Sequence, residues 1–148
     1  MNYSTQLCTD RAVHIESAEV RGQTIISFAV PIELTHDNRG LEPSCNVVVF
    51  EPAEARRRLA EQHGADSVID PRSGDADGLS AGSFDIAFDA AGNEATVNTA
   101  LSLLRARGQL VIVATWEKRV PIDGNLVVFK EINVTGKSFL VIFLPGIV

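Results

Sequence analysis

The sequence predicts an α/β fold built on a doubly wound parallel sheet, and three observations carry that expectation. From Asn46 onward, short apolar runs alternate with stretches of helical periodicity. The runs are apolar without a polar face, as strands covered on both sides are, and Gly, Pro or Asp punctuates each change of element. The chain has 148 residues, 45% of them hydrophobic and only 6% aromatic, so Val, Ile, Leu and Ala must build the core. That length is too short for an eight-stranded barrel, which leaves the open sheet.

Taken in order, residues 1–45 are weakly patterned, with one strand expected at Thr24–Val30 and a polar stretch from His36 to Ser44. Val47-Val48-Val49-Phe50 reads as a buried strand ending at Glu51-Pro52. Pro52 suits a first helical turn, and Ala53–His63 predicts a helix with Ala55, Leu59 and Ala60 on one face. Gly64 supplies its left-handed stop. Ser67–Asp70 is a second short strand, followed by a loop over Pro71–Ser83 rich in Gly, Ser and Asp. Phe84–Ala90 is a third, closed by Ala91-Gly92-Asn93.

A helix is expected from Glu94 to Arg107, with Val97, Ala100, Leu101 and Leu104 on one stripe and Gly108 as its end. Gln109–Ala114 predicts a fourth strand, Asn125–Glu131 a short helix and Ile132–Thr135 another strand. The chain thus divides into an N-terminal segment, 1–45, an ordered domain, 46–138, and an apolar tail, 139–148.

Composition excludes several classes of function. The net charge is -6, and the only basic run, Arg56-Arg57-Arg58, lies between Glu54 and Glu61 as part of a helix face. Nucleic acid is therefore not an expected partner. Cys8 and Cys45 are too few and too far apart for a zinc knuckle or a disulfide framework. The first apolar run lies too deep for a secretory leader, and a bilayer span needs about twice the length of the tail Phe139–Val148. A soluble, cytoplasmic protein without a membrane partner is the expectation.

In sheets of this kind ligands bind at the carboxyl ends of the strands. Here those ends carry Glu51, Asp70, Ala90-Ala91-Gly92 and Ala114-Thr115. An acid closing the second strand accepts hydrogen bonds from the adenosine ribose and repels a 2′-phosphate, selecting NAD over NADP. The other reading of Glu51 is a solvated residue at a strand-to-helix corner.

The runs Glu51-Pro52-Ala53-Glu54-Ala55-Arg56-Arg57 and Gly64-Ala65-Asp66-Ser67-Val68-Ile69-Asp70-Pro71 resemble the zinc-dependent medium-chain alcohol and polyol dehydrogenases. Phe84–Gly92 and Arg107–Ala114 continue the resemblance, and Trp116-Glu117-Lys118 with Leu126–Glu131 is closest to the butanediol-dehydrogenase-like branch. The resemblance implies a Rossmann-like domain, NAD as cofactor and an NAD-linked oxidation of a secondary alcohol. By position it makes Glu51 the ribose-binding acid and Arg56 the basic residue flanking the adenosine. Ala90, Ala91 and Gly92 fall where the family lines the cofactor, and Val113, Ala114 and Thr115 where its backbone meets the nicotinamide amide. Ordinary strand packing accounts for these last two sets nearly as well.

Three departures accompany the resemblance. Gly22–Phe28 is similar to the family's approach to its phosphate-binding loop, but Ala29-Val30-Pro31-Ile32-Glu33-Leu34 follows, without the glycines. Val30 resists φ > 0, and Glu33 places negative charge where an anion should sit. Thr35–Gly40 is also a poor helix by propensity. Second, family members are more than twice this length and carry a zinc-binding catalytic domain; Cys8, His14 and Glu16 form the one near cluster here, without a family ligand motif. No metal ligand and no catalytic residue are therefore assigned. Third, the loop over Pro71–Ser83 replaces a family helix. The apolar tail predicts a homodimer joined through the C-terminal edge, since the family's dimers meet near that edge. Three readings remain: a truncated or degenerate NAD(H)-binding domain, a non-catalytic interaction module descended from one, and a piece of a longer enzyme.

Overall fold

A computed structural model describes residues 13–16, 24–28, 32–35, 46–73 and 79–137, the first three segments through their backbone. Strand β1 (Val13–Glu16) pairs in parallel with β3 (Ile32–Thr35) as a two-stranded sheet. The main sheet has six strands, all parallel. They are β2 (Thr24–Phe28), β4 (Asn46–Phe50), β5 (Ser67–Ile69), β6 (Phe84–Asp89), β7 (Leu104–Ile112) and β8 (Asn133–Gly136). Across the sheet they lie in the order β5-β4-β2-β6-β7-β8. Counting only these six along the chain, that is 3-2-1-4-5-6, the order of the doubly wound dinucleotide-binding fold.

The expected strand at Thr24–Val30 is thus the hub of the sheet, trimmed to Phe28 and flanked by β4 and β6. Its register runs Thr24 to Asn46 and Phe28 to Phe50 on one side, and Ile25 to Ile86 and Phe28 to Asp89 on the other. The segment aligned with the family's loop behaves differently. Ile32–Thr35 pairs as strand β3, so no helix begins there; Ala29–Pro31 and 36–40 lie outside the described residues, as do Cys8 and the tail 139–148.

Strand β4 shows why its apolar run has no polar face. Val47 and Val49 pack on one side of the sheet with Ala60, Ile86, Phe88, Val111 and Val113. Val48 and Phe50 pack on the other, with Ala87, Val97, Ala100, Leu101 and Leu104. Helix α1 (Glu54–Gln62) covers the first side through Ala60. Helix α2 (Glu94–Leu103) and the short α3 (Gly124–Phe129) cover the second. Asp66 closes the start of β4, accepting from the Val47 N–H at 2.7 Å while its own N–H donates to Val47 O.

Several boundaries differ from expectation, each for a physical reason. Helix α1 is capped by Ala53, which leaves Pro52 outside it, and Ala55 faces solvent rather than the core. Helix α2 stops at Leu103, four residues before Arg107, and β7 begins at once with Leu104. Leu104 is fully buried as the stripe requires, but on extended backbone (φ -63°, ψ 138°). The stop comes from Lys130. Its ammonium donates to the carbonyl oxygens of Leu101, Ser102 and Leu104 at 2.7–3.0 Å, satisfying acceptors a helix end leaves open.

Gly108 serves a close approach instead of a helix stop. The pairing of β6 with β7 jumps from Phe84–Leu104 to Ile86–Gln109, so Arg105–Gly108 bulge out of register. A Cβ on Gly108 would sit 3.0–3.1 Å from the carbonyl oxygens of Arg105 and Asp85. Arg107 takes a left-handed conformation in this bulge (φ 61°), with its N–H on Lys130 O and its guanidinium on Glu131.

Candidate functional site

The strand order reverses at β2, so the carboxyl ends of β2 and β6 flank the crevice where such sheets bind ligands. Glu51 follows β4 on one side of it, while Ala90–Gly92 and Val113–Thr115 follow β6 and β7 on the other. The eight residues expected from sequence therefore sit at one end of the sheet, in two groups.

The first group is centred on Glu51, which is 2% exposed. Its Oε1 accepts from the Ala53 N–H at 2.6 Å and from Arg56 Nη2 at 2.8 Å, and its Oε2 accepts from Arg56 Nε at 2.8 Å. This two-pronged carboxylate–guanidinium pair excludes the reading of Glu51 as a solvated corner residue. The hydrogen bonds and charge of Glu51 hold the Arg56 guanidinium above its already high ordinary value.

Behind that pair, Arg57 donates to the carbonyl oxygens of Glu51 and Pro52 and to Asp70 at 3.0 Å. Arg72 binds both oxygens of Asp70 and reaches Pro52 O. Hydrogen bonds from the Arg72 side chain and backbone hold the Asp70 carboxyl far below the ordinary carboxylate range, against a smaller opposing effect of burial. A carboxyl whose folded pKa is depressed stabilises the fold at neutral pH and loses that contribution as pH falls below its unfolded value of about 4. Asp70→Asn is accordingly expected to lower the urea midpoint at pH 7, with the gap to the parent chain narrowing steadily below about pH 4.

The second group is organised by Asp89, a residue the sequence reading passed over. It is fully buried. Its Oδ1 accepts from the N–H groups of Ala91 (3.2 Å) and Gly92 (3.1 Å) and from the Thr96 hydroxyl (3.0 Å). Its backbone carbonyl accepts from the N–H groups of Val113 and Ala114. Trp116 Nε1 lies 3.4 Å from Oδ2. One residue thereby ties together both loops that the resemblance placed around a cofactor. Because four of their N–H groups are committed to Asp89, what the loops keep for a ligand is mainly carbonyl acceptors, the complement of a carboxamide NH2.

Gly92 has a double reason to be glycine. Its φ is 66°, and a Cβ there would stand 2.9 Å from Trp116 Cδ1 and 3.0 Å from Ala114 Cβ. Ala90 and Ala91 are half-buried and Thr115 is exposed, whereas the Val113 side chain belongs to the core. Val113 can therefore contribute backbone alone. The signal that could have revealed Asp89 is an Asp at a strand end two and three residues before small residues in a turn, the pattern of a side chain that folds back on backbone N–H groups.

Among the described residues no group of three or more His, Cys, Asp and Glu could hold a metal ion. Nor, among those residues, is any helix long and apolar enough to cross a membrane. Glu117 and Lys118 are exposed loop residues.

A reversed parallel sheet with a buried acid after its second strand and a tight small-residue turn after its fourth defines a nucleotide-binding α/β domain. Comparison with known proteins gives the family. Residues 44–141 match the family model described as zinc-binding dehydrogenase, and the chain belongs to that family, as its NAD-binding domain. It is 34% identical over 95 residues to L-idonate 5-dehydrogenase (NAD(P)(+)) of Escherichia coli, covering 63% of this chain and 28% of that protein. It is 40% identical over 81 residues to a probable diacetyl reductase [(R)-acetoin forming] of Saccharomyces cerevisiae, covering 48% and 19%. Among solved structures, the 2R,3R-butanediol dehydrogenase of Bacillus subtilis superposes with a TM-score of 0.63 at 25% identity, over 79% of this chain and 35% of that one. The E. coli L-idonate 5-dehydrogenase superposes at 0.67, over 82% and 36%, and at 22% identity attests the fold. The chain thus spans about a quarter of the length of the curated relatives it matches.

Proposed function

We propose that this chain is the NAD(H)-binding part of a zinc-type alcohol or polyol dehydrogenase, degenerate at its pyrophosphate loop. The reaction it serves is an NAD-linked oxidation of a secondary alcohol of the 2,3-butanediol kind. The observation that carries this reading is the Asp89-centred turn at the reversal of the sheet, which ties together the two loops of small residues where the resemblance places the cofactor. Glu51 contributes the acid at the ribose end, anchored by Arg56. The pyrophosphate end is where affinity is lost, because Ile32–Thr35 is strand and offers no helix N-terminus. The metal and the alcohol-binding residues would come from a separate domain.

Titration of the purified chain with NADH by calorimetry, with energy transfer from Trp116 as a second readout, tests this. Saturable binding is expected, weakened by about tenfold, or ~1.4 kcal/mol, in Glu51→Ala. No binding at millimolar NADH by a folded chain overturns the reading.

A second reading, a non-catalytic dimerisation module, is favoured by one observation. Val128 and Phe129 are 71% and 81% exposed on α3, and Val134 is 42% exposed on β8 at the end of the sheet. Apolar surface beside a strand edge is a place where a second copy adds. Sedimentation is expected to show a concentration-dependent dimer that Phe129→Glu dissociates; a monomer at all concentrations counts against this face.

A further inference from the structure

We propose that Trp116 is the positioning residue of the nicotinamide end of the site: its indole N–H, set against Asp89, fixes the direction of the Thr115 carbonyl that a carboxamide would meet. The inference rests on the nucleotide-binding reading above and adds to it a residue that acts through another.

Two loops border this end of the crevice, and Asp89 joins them at two places. Backbone bonds from Val113 and Ala114 to the Asp89 carbonyl fix the beginning of the second loop. Beyond Ala114 that loop returns to Asp89 through one hydrogen bond, from Trp116 Nε1 to Oδ2 at 3.4 Å. The indole is also closely seated. A Cβ on Gly92 would stand 2.9 Å from Trp116 Cδ1 and 3.6 Å from Thr115 O, so ring edge and carbonyl both lie against the glycine turn. Half-buried, the ring packs on the core at the α2 side.

Between the two fixed points lies Thr115. It is exposed, and its carbonyl has no donor among the described residues. That carbonyl belongs to the planar peptide group ending at the Trp116 nitrogen, so a Trp116 held in place limits how the plane can turn. An acceptor already held in one direction meets a carboxamide NH2 at a smaller cost in freedom.

The contact also has room to tighten. Asp89 is fully buried, its Oδ1 serves three donors, and its Oδ2 has the indole alone among the described residues. A buried oxygen with one long hydrogen bond gains from a shorter one. A ligand held by the Thr115 carbonyl draws the indole toward Oδ2.

The experiment is a calorimetric titration of the full chain with NADH and with ADP-ribose, which ends where the nicotinamide begins. NADH is expected to bind the tighter. Trp116→Phe keeps an aromatic ring and removes the N–H; it is expected to weaken NADH about fivefold and leave ADP-ribose unchanged. A ring that only filled the core would not separate the two ligands. Asp89→Asn, which turns the acceptor facing the indole into a donor, is expected to give the same selective loss. The double variant should lose no more than either single one, because both break one contact. Trp116 is the only tryptophan, so 5-fluorotryptophan labels it alone in the unsubstituted chain. Its fluorine resonance is expected to move with NADH and stay with ADP-ribose, a readout that decides the matter even where a variant misfolds.

Equal weakening of both ligands by Trp116→Phe, NADH binding that the substitution leaves untouched, or a fluorine resonance blind to bound NADH overturns the inference and leaves the nucleotide reading intact. An NADH affinity no greater than that of ADP-ribose does the same. Absence of binding by both ligands overturns both.

Discussion

Asp89→Ala is expected to destabilise the fold by about 3 kcal/mol, because three hydrogen bonds to a fully buried side chain lose their acceptor. Two of the stranded donors are backbone N–H groups, which have no other partner in the turn. Against that loss stands the relief of no longer burying a carboxyl that has no cation partner among the described residues, a smaller gain because the Ala leaves the N–H groups equally dry. Asp89→Asn separates the two effects. It keeps an oxygen at Oδ1 for all three donors but sets an NH2 against Trp116 Nε1, a contact already long at 3.4 Å. It is expected to cost less than about 1 kcal/mol. Urea unfolding checks both values. Because Trp116 is the only tryptophan, its emission reports the loop directly, and a red shift is expected for Ala and not for Asn.

Lys130→Met is the second large effect, expected at about 2 kcal/mol. One ammonium serves three carbonyl oxygens at the end of α2, and Met matches its length without a donor. Burial pushes the Lys130 pKa down, a cost the three carbonyls offset by accepting from the charged form. A fall in the urea midpoint with unchanged slope is the expected outcome; a changed slope would mean that α2 unravels before the rest.

These two residues also mark where sequence reading stopped. Strand β4 was legible because Val47 to Phe50 are buried on alternate faces, and an unbroken apolar run has no other stable use in a chain of this size. The strand-end sites followed from it, since the chain direction places Glu51, Ala90–Gly92 and Val113–Thr115 at one end of a parallel sheet. The end of α2 was not legible. Leu104 keeps the helical spacing of Val97, Ala100 and Leu101, and the stop is supplied by a lysine 26 residues further on. Local periodicity carries no trace of such a contact. The pairing of Glu51 with Arg56 was likewise hidden. Sequence placed both residues at the adenosine, but only geometry shows that each occupies the other. Strand β2 was expected at Thr24–Val30, but the weak pattern around it hid its place at the hub of the sheet, which is set by pairing with strands distant in sequence.

The bulge in β7 separates tolerance from function along the length of the sheet. Arg105, Ala106 and Arg107 are exposed at the amino end of the strands, and the register has recovered by Gln109, before the strand reaches the loops held by Asp89. Arg105 is tied to Asp85 and Arg107 to Glu131, which leaves Ala106 as the position whose side chain holds nothing in place. For anyone wishing to follow ligand binding, that makes Ala106 the attachment point for a fluorophore or spin label. A probe there would ride on the rigid sheet, at the end of the strands opposite the site.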